Sequence, residues 1–207
     1  MYCKEQKIYQ YLRQGKRRRT KWHSRKTKSE KIKNKISIEQ RPKDIDNRES
    51  FGHWEGDSIV SKGRKSFLNT LVERSTRYLV ASKLQDHSSI TTTEAVVSSL
   101  KQFNPLSITF DNGLEFAGHE AMKEKLNTLI YFCHPYSSFE RGTNENTNGL
   151  LRRYLPKHQK FDDLSEEELN SIVWEINNRP RKCLGYKTAT EALELARTLS
   201  VAINPRM

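Results

Sequence analysis

The chain has 207 residues, 34% of them hydrophobic, a formal charge of +12 at pH 7 and a pI near 9.6. This supplies one domain with a sizeable core plus a polar extension, and makes a second full domain unlikely. No run approaches the ~20 apolar residues of a membrane span, and the opening MYCKEQKIYQYLRQGKRRR lacks the apolar centre of a signal peptide, so the expectation is a cytoplasmic protein.

The charge is concentrated. From Arg13 to Lys35 there are twelve Lys or Arg and one acid, Glu30, which places about +11 of the +12 in one segment. So polar a run cannot bury enough surface to fold alone and suits a polyanion. Arg17, Arg18, Arg19 and Lys21 are its candidate phosphate contacts. The following SIEQRPKDIDNRESFG has no clear period and reads as a linker, which puts an arm and linker at 1–50 and a folded core at 51–200. Cys3, Cys133 and Cys183 are odd in number and far apart, so neither a disulfide frame nor a structural zinc site is indicated. Cys133 reads as a packed strand-end residue.

Trp54 to Ser61, Phe67 to Glu73 and Tyr78 to Leu84 are rich in β-branched and aromatic residues and are separated by KGRK and RSTR, which predicts an antiparallel meander. SITTTEAVVSSLKQF sets Val96, Leu100 and Phe103 at helical spacing and is closed by Pro105. LSITF is a short strand ending in the turn signal DNG, GHEAMKEKL is a helix, and TLIYFCHP is another strand. Ser165 with Glu168 and Thr188 with Glu191 are capping boxes for two further helices. The first carries Leu169, Ile172, Val173 and Ile176 and ends near Asn178. The second is expected to face Ala192, Leu195 and Leu199 inward. The fold class is α/β.

Three acids stand out on this scaffold. Asp57 lies in the first of the long strands, and Asp111 stands where LSITF runs into Asn112-Gly113. Glu145 follows in ERGTNENTNGLLR, where Arg141-Gly142-Thr143 reads as loop and Asn144 as the N-cap of a helix. A carboxylate in a first helical turn is favoured in its ionised form. Asn148, Gly149 and Arg152 follow Glu145 at i+3, i+4 and i+7 and share its face, while Leu151, Tyr154 and Leu155 suit packing. Three carboxylates from separate elements make an oxygen-rich site for Mg²⁺ or Mn²⁺. Glu140 precedes the Arg-Gly pair, where its direction is poorly fixed, so Glu145 is preferred to it.

The strings FGHWEGD, TLVERSTRY, TFDNGLEF, HPYSSFERGTNENTNGLLRRYLPK and INNRPRKCLGYKTATEAL resemble the IS-thirty family of insertion-sequence transposases, and more broadly the DDE transposase and retroviral integrase catalytic core. The resemblance runs from about Ile38 to Leu193. It implies a ribonuclease H-like fold with a five-stranded mixed sheet flanked by helices, and a catalytic triad of Asp57, Asp111 and Glu145. It departs from the family at Ser137-Ser138-Phe139, where Ser-Pro-Trp is common, and at Ala189, where Pro is common. Family members usually carry a helix-turn-helix region ahead of the core, and this chain is expected to begin after it.

The resemblance also implies two-metal phosphodiester chemistry, with Asp57 bridging both ions and Asp111 and Glu145 each completing one side. The partners it implies are transposon ends and target DNA, handled by a homo-oligomer. Asn144, Asn148, Arg152, Arg153 and Lys157 are candidates for phosphate contacts. Two other readings stay open: a structure-selective nuclease of the same fold, and a truncated or inactive transposase that only binds DNA.

Overall fold

The computed structural model describes residues 32–63, 66–135, 137–157 and 159–203. Arg17, Arg18, Arg19 and Lys21 lie outside the described residues, as does Cys3.

The strands are β1 (Ile36–Ser37), β2 (His53–Val60), β3 (Phe67–Glu73), β4 (Leu79–Leu84), β5 (Ser107–Phe110) and β6 (Leu129–Phe132). They form one mixed sheet in the order β1-β6-β5-β2-β3-β4. β2, β3 and β4 are the expected antiparallel meander, while β5 runs parallel to β2 and β6 parallel to β5. The helices are α1 (Ser89–Leu100), α2 (His119–Leu126), α3 (Gly142–Tyr154), α4 (Glu166–Asn177) and α5 (Ala189–Ile203). This mixed sheet with flanking helices is the ribonuclease H-like α/β fold.

The sheet has six strands rather than five. The extra one, β1, pairs Ile36 with Tyr131 and Ser37 with Phe132, and belongs to a segment whose sequence reads as arm and linker. Ile32 and Ile45 of that segment are buried, so two apolar side chains fasten an otherwise polar stretch.

Strand side chains alternate between faces, and that alternation decides what each face carries. Trp54, Leu71, Ile108 and Phe110 pack on one side with Val96 and Leu100 of α1 and Met122 of α2. Ile59, Leu68 and Val72 pack on the other side with Leu151 of α3 and Leu169 and Ile176 of α4. β3 is buried along its whole length because it is covered on both faces.

Both capping boxes form. Ser165 Oγ accepts from the Glu168 amide at 3.1 Å while Glu168 accepts from the Ser165 amide at 3.0 Å, and Thr188 and Glu191 do the same at 3.1 and 2.7 Å. The inward face of α5 differs from expectation. Ala189 and Leu193 are buried, Ala192 is half-buried, and Leu195 and Leu199 are 50% and 62% exposed. Two apolar stripes at i, i+3/i+4 spacing coexist on this helix, and the small Ala189 shares with Leu193 the one that is turned to the core.

Candidate active site

The parallel register pairs His53 with Ser107, Trp54 with Ile108 and Glu55 with Thr109. Continued by two residues, it sets Asp111 beside Asp57. Odd-numbered residues of β2 face α3, since Ile59 packs there, and Trp54 faces the other way. Glu55 and Asp57 therefore both point toward α3, as does Asp111, whose neighbour Phe110 enters the opposite core. Gly56 lies between the two acids because a Cβ there would sit 2.2 Å from the Phe110 ring.

One side chain that the sequence reading left in a loop links the two aspartates. Arg141 is 8% exposed. Its Nη1 donates to the Gly56 carbonyl at 2.9 Å and lies 3.1 Å from Asp57 Oδ1, while Nη2 donates to Asp111 Oδ2 at 3.2 Å. Burial alone would lower the guanidinium pKa, but Asp57 and Asp111 outweigh it and raise it. Asp57 also accepts from the Ser58 amide at 2.9 Å and from Asn148 Nδ2 at 3.0 Å. Burial pushes its carboxyl above the ordinary range, Asp111 adds to that push, and Arg141 opposes it without cancelling it. Asp111 Oδ1 accepts from the Gly113 amide at 3.0 Å, which is the turn role its Asn-Gly sequel predicts.

On the other side of β2, Ser58 Oγ donates to Glu115 Oε1 at 2.6 Å and lies 3.0 Å from His87 Nε2. This cluster ties the loop after Asp111 to the residue after Asp57, and it went unread in the sequence because no local period marks it.

α3 begins three residues earlier than expected. Its N-cap is Arg141, with no side-chain cap, so Gly142 and Thr143 are helical and Asn144 sits inside the first turn. Asn144 is not the cap, and its burial sets it apart from the other candidate phosphate contacts. It is fully buried, its Nδ2 donates to the Glu55 carbonyl at 2.9 Å and the Thr70 carbonyl at 3.1 Å, and its amide donates to Glu55 Oε2 at 2.9 Å. Glu55 in turn takes Arg74 Nη1 at 2.9 Å. A buried carboxylate thus receives the first turn of α3 and fixes where the helix starts. The i, i+2 spacing of Glu55 and Asp57 was the available signal.

Glu145 is exposed and, among the described residues, has no hydrogen-bond or ion-pair partner. Asn148, on its face, reaches Asp57. Arg152 is half-buried, donating to the Val60 carbonyl at 2.9 Å and lying over the Phe161 ring, so it anchors α3 more than it offers free charge. Arg153 and Lys157 are exposed. Glu140 is committed elsewhere: it accepts from the His134 amide at 2.8 Å and lies 2.7 Å from His134 Nδ1. Cys133 is buried, which pushes its thiol up to about 12.

Among the described residues no three acids, histidines or cysteines converge as a ready cation site. Asp57 and Asp111 do fit a hard cation. They are adjacent carboxylates already sharing a positive group, and Asn148 Oδ1 beside them is buried without a hydrogen-bond partner.

Residues 47–138 match the integrase core domain, and the match contains Asp57 and Asp111. That stretch is an integrase core, a class whose acidic site depends on divalent metal. Over most of its length the chain is similar to IS30-family insertion-sequence transposases. It is 40% identical over 187 residues to the transposase for insertion sequence element IS4351 of Bacteroides fragilis, covering 89% of this chain and 57% of that one. It is 40% identical over 188 residues to a transposase of insertion sequence element IS30A of Escherichia coli (strain K12), covering 88% and 48%. It is 41% identical over 205 residues to a probable transposase of insertion-like sequence element IS1161 of Streptococcus salivarius, covering 92% and 58%. The chain therefore spans about half the length of these relatives. Among the described residues no helix is long and apolar enough to cross a membrane.

Proposed function

We propose that this chain carries the catalytic core of a DDE transposase, which cleaves DNA at the ends of an insertion sequence and joins the freed 3′-ends to target DNA. The observation that carries the reading is the pair Asp57 and Asp111, set side by side at the ends of parallel strands and bridged by one guanidinium. Asp57, Asp111 and Glu145 would hold two Mg²⁺ or Mn²⁺ ions. Bound there, divalent cations supply activation of a water or 3′-hydroxyl and stabilisation of the leaving oxygen.

The chain's own residues do the remaining work. Asn148 orients Asp57 through the contact to Oδ2, and Ser58 with Glu115 holds the strand and loop that present the two aspartates. Arg141 sits between the two carboxylates and fills the space that a cation would take, so loading the site would require its guanidinium to give way. Arg153 and Lys157, exposed beside α3, supply charge to a DNA backbone. The basic arm, with Arg17, Arg18, Arg19 and Lys21, adds sequence-independent affinity. A homo-oligomeric active complex and a cytoplasmic, nucleoid-associated location belong to the same reading.

The test is an assay on duplex oligonucleotides bearing the inverted repeats that flank the coding sequence, uncut and precut, with Mg²⁺, with Mn²⁺ and with chelator. Metal-dependent cleavage with joining of precut ends is expected. Cleavage without joining would make the chain a nuclease, and binding without either reaction would leave it a DNA-binding remnant.

A further inference from the structure

The first turn of α3 has two flanks. Arg141 reaches the aspartates on one. On the other, Gly142 and Thr143 line a cleft of about 180 Å³ together with Arg48, Arg77, Arg181 and Cys183. At 100° per residue, the Glu145–Asn148–Arg152 face of α3 points well away from this flank, so the cleft is distinct from the carboxylate site.

Its charge is one-sided. Three guanidiniums line it and no carboxylate does, and among the described residues none of the three makes an ion pair. Arg77 Nη1 donates to Thr143 Oγ1 at 3.0 Å, and Arg181 Nη2 to the Ile176 carbonyl at 3.2 Å, which fixes two of the three forks and leaves other donors unspent. Arg181 Nε is buried without a partner. Burial depresses the Arg181 pKa, and repulsion from Arg77 and Arg179 adds to the effect. The positive end of the α3 dipole points the same way, and the cap residue contributes no side-chain bond to that end. Like charges held together in this manner are relieved by an anion that takes several N–H donors at once, which is the chemistry of a phosphate group.

We propose that this cleft grips a backbone phosphate of a DNA strand, at a second contact separate from the acidic site. The proposal rests on the reading of the chain as a DNA-processing core and adds where one strand is held. A phosphate seated against Gly142 and Thr143 bears on the same helical turn as Arg141, so the grip fixes strand and carboxylate site in one frame.

The test uses the full chain with Cys3 replaced by Ser. Cys183 is then the exposed thiol, while Cys133 is buried and its thiol is held protonated at ordinary pH. Alkylation of Cys183 by a maleimide is timed alone, with a duplex oligonucleotide, and with inorganic phosphate at the same phosphate concentration. Duplex is expected to slow it at least severalfold and inorganic phosphate to leave it unchanged. Binding of the duplex, followed by fluorescence anisotropy without divalent ions, is measured across a salt series for Arg48→Gln and Arg181→Gln. The exposed Lys123→Gln on α2, on the other face of the sheet, is the charge-matched control. Each cleft variant should lose affinity severalfold and flatten the log–log salt dependence by about 0.9, the value of one duplex-phosphate contact. The Arg48 side chain makes no hydrogen bond among the described residues, and its backbone bond to the Ile45 carbonyl survives the substitution, so its variant stays informative if Arg181→Gln perturbs the fold. Protection by inorganic phosphate and not by duplex would make this a free-anion site and overturn the proposal. Equal losses in the Lys123 control would overturn it too, as a diffuse field. If the parent chain bound no DNA at all, the proposed function itself would fall. A parent that binds DNA while Cys183 stays reactive would sink only the cleft.

Discussion

Asn148 donates its side-chain amide to Oδ2 of Asp57 at 3.0 Å, the contact that joins the polar face of α3 to the acid of β2. It holds the second oxygen of a carboxylate whose first is held by the Ser58 amide and Arg141. Removing it in Asn148→Ala should cost only about 1 kcal/mol of stability, as for an ordinary hydrogen bond. Loss of an orienting partner beside a metal ligand typically costs 10–100-fold, and metal-dependent cleavage should fall by about that much. An activity loss matched by an equally large drop in Tm would instead make Asn148 a packing residue.

Asn144 should behave in the opposite way. Its amide satisfies two strand carbonyls in a fully buried position. Asn144→Ala leaves both without that donor, so we expect a loss of about 3 kcal/mol, several degrees of Tm in a domain of this size. DNA affinity of the fraction that remains folded should be unchanged. Weaker DNA binding at unaltered Tm would restore the phosphate-contact role that the sequence suggests.

The raised pKa of Asp57 has a stability consequence. A carboxyl whose folded-state pKa lies above its unfolded value contributes stability below the unfolded value, and loses it as pH rises through the folded one. At neutral pH the ionised Asp57 therefore weighs against the fold, chiefly because it is buried, with Asp111 adding to the effect. Asp57→Asn should raise Tm at pH 7 and abolish activity, and its advantage should vanish as pH falls through the Asp57 titration. Mg²⁺ or Mn²⁺ should raise the Tm of the parent, chelator should reverse the rise, and the variant should respond to neither. A lower Tm for Asp57→Asn at pH 7 would show that the Arg141 contact outweighs burial.

Much of this arrangement is legible in the sequence, for local reasons. Each strand of the meander, both capping boxes and the Asp111 turn are encoded within eight or fewer residues each, where period and turn chemistry operate. β1 is not, because two residues carry no period and their pairing with β6 is made some 95 positions away. Asn144 was misread because an Asn before a helix is usually a cap, whereas here Glu55 from another strand takes over the helix start. Arg141 has no local signature at all: its meaning comes from two aspartates 84 and 30 positions earlier. Leu195 and Leu199 show the remaining gap, since spacing reveals an apolar stripe and cannot say which stripe meets the core.

Glu145 and Glu140 sit five residues apart and should separate cleanly. Glu140 is held by His134, which also lies 3.1 Å from Glu39. Burial by itself would raise the Glu140 pKa, but its contacts with His134 prevail and lower it, while Glu140 first and then Glu39 raise that of His134. The histidine's contribution is complete below its unfolded pKa and is lost as pH rises through its folded value. The glutamate's contribution is present above its unfolded pKa and is lost as pH falls through its own lowered value. Glu140→Gln should therefore lower Tm most near pH ~6, where both groups are charged, and least near pH ~9, where His134 is neutral. Its metal-dependent cleavage should change only a fewfold, through the placement of the turn that leads into α3. Glu145 is exposed and unpaired among the described residues, so Glu145→Gln should leave Tm and DNA binding alone at either pH while cleavage and strand joining drop by several orders of magnitude. Side-by-side Tm, anisotropy and cleavage measurements on the two variants decide the matter. An active Glu145→Gln beside an inactive, stably folded Glu140→Gln would reverse the assignment.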